Sequence, residues 1–235
     1  MSENGKYLNE AMPTRTYRAR WVVRGTLTLE TAMHLGGEAE DRVDMPVLRD
    51  PKSGFPLLPG TTFAGALRNA LADRLAGFGK AETNAVAALF GDGRSVDNGD
   101  QSPLVVFDAI GSLPVAGGVE IRDGVAIDPQ WGVAEAGKKF DFEVLPAGTT
   151  FPVRVDLLVP DPEKIGEYRP SKAEKRSEAE LLTDLAAALD AFSAGETGFG
   201  ARRTRGLGRV SAKWIAKRFD LSNREGWLEW IGSDH

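Results

Sequence analysis

From Arg15 to Glu30 apolar and polar positions alternate, with Tyr17, Ala19, Trp21 and Val23 and then Leu27 and Leu29 on recurring faces, which predicts a β-strand. Met33-His-Leu-Gly-Gly37 ends that pattern, and Glu38 to Val43 reads as a charged loop. Asp44 to Gly60 then carries four prolines and two glycines. Such a segment cannot sustain a regular helix and is expected to be an extended, turn-punctuated track. Thr61 or Thr62 can cap a helix whose apolar positions Ala64, Leu67, Leu71, Leu75 and Phe78 recur at intervals of three and four. A second short helix is predicted over Glu82 to Phe90.

Gly91 to Ser102 reads as solvated linker, because Asp92, Asp97 and Asp100 miss the alternating spacing and terminal glutamate of a calcium loop. Leu104 to Ile110 is a predicted strand, and Val119 to Ile127 a hairpin turning at Asp123-Gly124. Phe140 to Leu145 is expected to pair with Phe151 to Val159 around Pro146-Ala-Gly148. Ser171 and Glu174 have capping-box spacing and are expected to open a long helix striped by Leu181, Leu185, Leu189 and Phe192. A glycine- and arginine-rich loop, a strand from Val210 to Ile215 and a tail with Trp227 and Trp230 follow. The order strand, helices, strands, helix, strand predicts an α+β domain over residues 1–235, with helices on one face of a sheet and the first 14 or so residues frayed.

Composition narrows the chemistry. The 235 residues are 42% hydrophobic and 27% charged, enough for a sizeable core. Absence of cysteine excludes disulfides, thiolate metal sites and cysteine nucleophiles. No apolar run approaches the roughly 20 residues of a membrane helix, and the N-terminus has no signal-peptide core, so a cytoplasmic protein without a membrane partner is expected. The net charge of −5 conceals a segregation: Ala194 to Arg218 holds seven basic residues and one acidic residue, Glu196. Binding of a polyanion follows the local field rather than the total.

Three features carry candidate chemistry. The first is Ala194 to Val210, AGETGFGARRTRGLGRV, where five glycines alternate with Arg202, Arg203, Arg205 and Arg209. Bare main chain and forked, permanent charges suit a phosphate backbone. No Gly-Lys-Ser/Thr follows, and the flanking order is helix then strand, so neither a P-loop nor a dinucleotide fingerprint is present. The second is Pro59-Gly-Thr-Thr-Phe63, where helix-start amides and the Thr61 and Thr62 hydroxyls form either a phosphate seat or a simple cap. The third is Asp44, on an irregular loop beside Arg42 and Arg49. It is either a base or metal ligand for phosphodiester cleavage, or an ion-pairing surface aspartate. His34 is the single internal histidine, which excludes a two-histidine ribonuclease and leaves that ring to satisfy backbone or stack on RNA. Trp21 and Trp214 alternate with aliphatics and are assigned to the core.

In order along the chain, Met33-His-Leu-Gly-Gly37, the long block from Val43 to Arg68, Leu89-Phe-Gly-Asp92, Ser102-Pro-Leu-Val-Val-Phe-Asp108, Ile127-Asp128, Phe142-Glu-Val-Leu-Pro146 and the loop from Gly198 to Val210 resemble the RAMP superfamily of CRISPR systems. The resemblance is specifically to backbone subunits of type III (Csm/Cmr-like) effector complexes. It implies a modified ferredoxin-like (RRM-like) core with an inserted hairpin or thumb, placed near Gly111 to Lys139, and the glycine-rich loop. Copies of such a subunit stack along a CRISPR RNA with other type III effector subunits and kink its duplex with single-stranded target RNA. In catalytic members a loop aspartate, matched here by Asp44, cuts the target with Mg2+ or another divalent metal, by 2′-hydroxyl attack leaving a cyclic phosphate. The implied RNA contacts are His34, Arg42, Arg49, Lys52, Thr61, Thr62, Arg68, Gly200, Arg202, Arg203, Arg205, Gly206 and Gly208. A non-catalytic guide-binding subunit and a repeat-processing endoribonuclease are the alternatives. Two positions depart from the family pattern: Pro129, where a basic residue is common, and the acidic loop of Glu38, Glu40 and Asp41 before Asp44. The tail residues Trp227, Leu228, Trp230 and Ile231 are a candidate subunit interface.

Overall fold

A computed structural model describes residues 16–37, 43–92, 99–114, 118–128, 130–161 and 171–233. The expected frayed N-terminus, Arg42 and Pro129 lie outside them. The alternating stretch forms β1 (Tyr17–Leu29), the centre of a four-stranded antiparallel sheet. It is flanked by β7 (Thr150–Pro160) and β8 (Val210–Asp220), and β3 (Leu104–Val106) extends β7 outward, giving the order β3-β7-β1-β8. Helices α1 (Gly60–Ala76) and α2 (Asn84–Phe90) connect β1 to β3, and α3 (Glu178–Ser193) connects β7 to β8. Period-two alternation turns Ala19, Val23, Leu27 and Leu29 toward these helices. There they meet Phe63, Leu67 and Leu71 of α1 and Leu181, Leu185 and Phe192 of α3. Full burial of each such side chain contributes about 1.5–3 kcal/mol, so this shared core anchors every loop described below.

Two smaller pairings complete the described chain. The end of the proline track forms β2 (Leu57–Leu58), paired with β4 (Ala109–Ile110). β5 (Glu120–Ile127) pairs with β6 (Ala134–Val144). The root of that hairpin is fixed by Phe142 and Val144, buried with Ala32. Toward its tip Ile127, Trp131 and Val133 are exposed. The chain closes with α4 (Arg224–Gly232).

Several local expectations are corrected. Residues 120–127 form one strand rather than a hairpin: Gly124 is mid-strand because the Phe140 ring fills the space a Cβ would need, and the hairpin closes beyond Ile127, which pairs with Ala134. Residues 140–145 do not pair with 151–159; β6 returns along β5, while β7 joins the large sheet. The predicted strand 104–110 breaks at Phe107-Asp108 into β3 and β4, which belong to different sheets. The Ser171/Glu174 pair exists, with amide and hydroxyl bonds of 2.6 and 3.2 Å, but it closes a turn. The helix starts later, under a second capping box of Ser177 and Glu180. On α1, Leu75 is half exposed and Phe78 lies beyond the helix end at Gly77. The loop around Asp92 is not free linker where it is described, because Lys172 bonds both Asp92 oxygens at 2.7 Å.

Candidate nucleic-acid interface

The arginine–glycine loop folds back on itself at the foot of β8. Gly198 bridges Arg209, and Phe199 N–H donates to the Gly208 carbonyl at 3.2 Å. A Cβ on Gly198 would stand 2.0 Å from the Gly208 oxygen, and one on Gly208, whose φ is 82°, would stand 2.1 Å from the Phe199 oxygen. Only glycine permits that approach. Beneath it Phe199 is buried against Phe63 and Phe192, so the loop is nailed to the core. Gly200 rests on the His34 carbonyl, and Ala201 N–H donates to it at 2.9 Å. A 3-10 turn over Arg203–Arg205 then holds both arginines outward, with no ion pair among the described residues, and Gly206 closes it. Around this turn lies an open trough of about 830 Å³ that includes Arg203, Thr204, Gly206, Gly208 and Arg209, with Phe78 at its rim. Phe78 is 91% exposed.

Arg202 turns the other way. It adopts left-handed backbone (φ 61°), and its guanidinium sits 4.0 Å from the Phe142 ring centroid and 4.9 Å from that of Phe140. Its Nη2 reaches Met45 Sδ at 3.7 Å, next to Asp44. Asp44 is exposed and paired with Asp141 of β6 through reciprocal bonds. The Asp44 N–H donates to Asp141 Oδ1 at 2.9 Å, and the Asp141 N–H donates to Asp44 Oδ2 at 3.0 Å. Glu143, two residues along the strand, accepts from the Val47 N–H and from Arg49 Nη2 at 2.9 and 3.0 Å. The proline track is thereby stitched to β6 through Asp141 and Glu143, while Arg202 packs on Phe140 and Phe142, the alternate side chains of the same strand.

The remaining predicted residues scatter. His34 is buried, its Nδ1 donating to the Glu143 carbonyl at 2.7 Å and its ring edge-on to Phe142, so it satisfies backbone and offers no open stacking face. Arg49 belongs to the stitching just described. Lys52 is exposed in a turn ordered by Asp50 and Ser53. Thr61 and Thr62 are exposed but cap nothing; the first turn of α1 is instead closed by Asp108, whose Oδ1 accepts the Gly60 N–H at 2.7 Å. That carboxylate takes one of the helix-start amides. Arg68 is bound to Glu82 through two nitrogens, and each group favours the other's charged form: Glu82 is held below its ordinary value and Arg68 raised above its own.

Three residues that sequence reasoning missed enter the site. Asp141 and Glu143 lie in a strand whose partner the local pattern does not reveal. Phe78 fits the apolar stripe of α1 by spacing, although Gly77 and Gly79 on either side signal a helix end. Among the described residues no group of three or more histidines or carboxylates could hold a metal. Asp44 and Asp141 are two carboxylates, which fits Mg2+, an ion that uses one or two carboxylates and completes its shell with water and phosphate oxygens.

The described residues thus form an antiparallel sheet backed by helices, with a glycine-clamped arginine loop at the foot of β8 and an exposed aspartate on the proline track. The chain belongs to the RAMP superfamily, whose pattern it matches over residues 26–211. It is also similar to proteins named CRISPR system Cms endoribonuclease Csm3. The Mycobacterium tuberculosis protein is 40% identical over 60 residues, 24% of this chain and 25% of that one. The Enterococcus italicus protein is 36% identical over 55 residues, 22% of this chain and 26% of that one. The Streptococcus thermophilus protein is 30% identical over 76 residues, 29% of this chain and 34% of that one. Each match spans about a quarter to a third of the relative. Among the described residues no helix is long and apolar enough to cross a membrane.

Proposed function

We propose that the chain is a guide-RNA-binding backbone subunit of a type III CRISPR effector complex, and that it cuts guide-paired target RNA through Asp44. The observation that carries this reading is the Asp44–Asp141 pair, held where the proline track meets β6, with Arg202 of the arginine loop reaching Met45, the residue next to Asp44. The endoribonuclease named among the relatives supplies the reaction class. Strand order β3-β7-β1-β8 with its two helical connections supports a ferredoxin-like core. The β5–β6 hairpin, with its exposed tip, supports a thumb somewhat later than Gly111 to Lys139.

In this reading Arg203, Arg205 and the glycine amides grip guide phosphates without reading bases, and base pairing provides specificity. Arg202 brings fixed positive charge to the scissile phosphate. Asp44 accepts the 2′-hydroxyl proton as that oxygen attacks the adjacent phosphorus; the bond to the 5′-oxygen breaks and that oxygen takes a proton from water, leaving a 2′,3′-cyclic phosphate and a 5′-hydroxyl. A divalent ion held by Asp44, with Asp141 fixing the position of that residue, would neutralise developing phosphate charge. The test is target-RNA cleavage by the assembled complex with magnesium, native chain against Asp44→Ala. Evenly spaced cuts that vanish in the variant are expected. Cuts that persist would move the chemistry to another residue or subunit, and no cutting with guide still bound would leave a purely structural subunit.

A further inference from the structure

The face of the large sheet turned away from α1, α2 and α3 is open over most of its length. α4 covers only the end where β1 begins: Trp230 packs with Val22, Phe219 and Leu221, and Glu229 pairs with Lys217 at 2.9 Å. Beyond α4 lies an open trough of about 890 Å³ lined by Arg24, Thr26, Phe107, Arg154, Lys213 and Ile215. Ile215 is 72% exposed in the middle of a strand, and Phe107 is 37% exposed.

The trough is organised by a carboxylate with no solvent contact. Asp156 on β7 is 0% exposed and accepts from Arg20 Nε at 2.8 Å and from Arg154 Nε and Nη2, both at 2.7 Å. Two guanidiniums thus share one negative charge, and the group is net positive. Each guanidinium also lies over an aromatic ring, Arg20 over Trp230 at 4.4 Å and Arg154 over Phe107 at 4.7 Å. A buried ion group of this kind contributes little stability that apolar side chains would not match. What it does provide is orientation: planar cations held in place under the sheet face, their side chains 15% and 16% exposed. Asp108, the other carboxylate at the rim, takes the Gly60 amide.

Register carries positive charge along the same face. The outward positions of β8 are Ser211, Lys213, Ile215 and Lys217, opposite Thr28, Thr26, Arg24 and Val22 of β1. Arg209, at the foot of this row, lines the arginine-loop trough and is paired with Glu30 at 2.7 Å, so among the described residues the unpaired charge of the row rests on Lys213. One strand therefore links the two basic troughs, on a chain whose net charge is −5.

We propose that this open sheet face is a second RNA-contact surface, taking a short single-stranded segment continuous with the strand in the arginine-loop trough. About two or three bases, the number a four-stranded sheet platform accepts, would lie over Ile215 and the Arg154–Phe107 stack, with phosphates at Lys213 and Arg24. The inference rests on the reading of the arginine-loop trough as an RNA seat.

The test is fluorescence anisotropy of the full chain with labelled oligouridylates, one short enough for the loop trough alone and one about twice that length, over a range of salt. Native chain is compared with Lys213→Glu, Ile215→Asp and Arg203→Glu. The native chain should bind the longer oligomer several-fold more tightly. Lys213→Glu and Ile215→Asp should each erase that increment and keep short-oligomer binding. Lys213→Glu should also make the salt slope shallower by roughly 0.7, one single-strand phosphate. Arg203→Glu should weaken both oligomers. Both sites are exposed, so thermal melting should not change. If Lys213→Glu binds both oligomers as the native chain does, the inference fails and the loop reading stands. If Arg203→Glu is silent while Lys213→Glu loses binding, the loop reading fails and the sheet face stands as an RNA site. RNA binding unchanged in Lys213→Glu with altered sedimentation would make the face a protein interface, overturning the proposal.

Discussion

Gly208→Ala should destabilise the protein far more than Gly206→Ala, although both glycines have φ near +80° within the same loop. A side chain in left-handed backbone costs about 1–2 kcal/mol. Stiffening the unfolded chain returns about 0.4–1 kcal/mol. At Gly206 nothing lies within 4 Å of the added methyl, so the net loss is on the order of 1 kcal/mol. At Gly208 the methyl would stand 2.1 Å from the Phe199 oxygen, where Cβ atoms essentially never come closer than 3.0 Å. The two arms of the loop must therefore separate by most of an ångström, against Phe199 packed in the core. Overpacking of that kind adds about 1–3 kcal/mol, for a total of roughly 2–4 kcal/mol. For a chain of this length the melting temperature moves by about 2–4 °C per kcal/mol, so Gly208→Ala should melt roughly 4–16 °C lower and Gly206→Ala only a few degrees lower. Circular dichroism melts of the two variants check this, with RNA affinity measured below both transitions. Gly208→Ala should also lose affinity, because Arg203 and Arg205 ride on the displaced arm. Equal melting shifts in the two variants would refute the close-approach argument and leave backbone strain as the whole effect.

Asp141→Ala should slow target cleavage by up to about a hundredfold by freeing Asp44 from its position, whereas Asp141→Asn, which keeps the acceptor for the Asp44 amide, should recover most of the rate. Equal loss in both variants would instead show that the charge of Asp141, as in metal binding, is what matters. Phe78→Ala should lower RNA affinity by about 1–3 kcal/mol without lowering the melting temperature, because the ring stands at the trough rim in solvent; unchanged affinity would remove it from the interface. Glu82→Gln bears on pH. Because Arg68 holds the Glu82 carboxyl below its ordinary 4.5, the unfolded chain binds more protons in that window and the pair's stabilisation grows with pH. The variant should therefore melt below the native protein near neutral pH, and the two curves should converge as pH falls below that ordinary value. A gap that stays constant with pH would show the carboxylate charge to be irrelevant.

Elements whose signal is local were legible in the chain itself. Alternation over Tyr17–Leu29, the helical stripe Leu181–Leu185–Leu189–Phe192 and the density of proline in Asp44–Gly60 each follow from periodicity or backbone chemistry, which need no distant partner. The arginine–glycine loop was legible for the same reason, since glycine and arginine declare close approach and charge by their own covalent structure. Partner choice was decided only in three dimensions. Gly124 looked like a turn residue until Phe140 from the neighbouring strand was seen to fill its side-chain space. Thr61 and Thr62 could be read as caps of α1 until Asp108, 48 residues from Gly60, was seen to take the first amide of that helix. Asp44 was visible as a carboxylate in an irregular segment. Its pairing with Asp141, 97 residues later, depended on β6 turning back along β5 instead of joining the large sheet. Hydrogen-bond registers between distant segments are fixed by the packing of the whole core, and no single stretch of sequence contains that information.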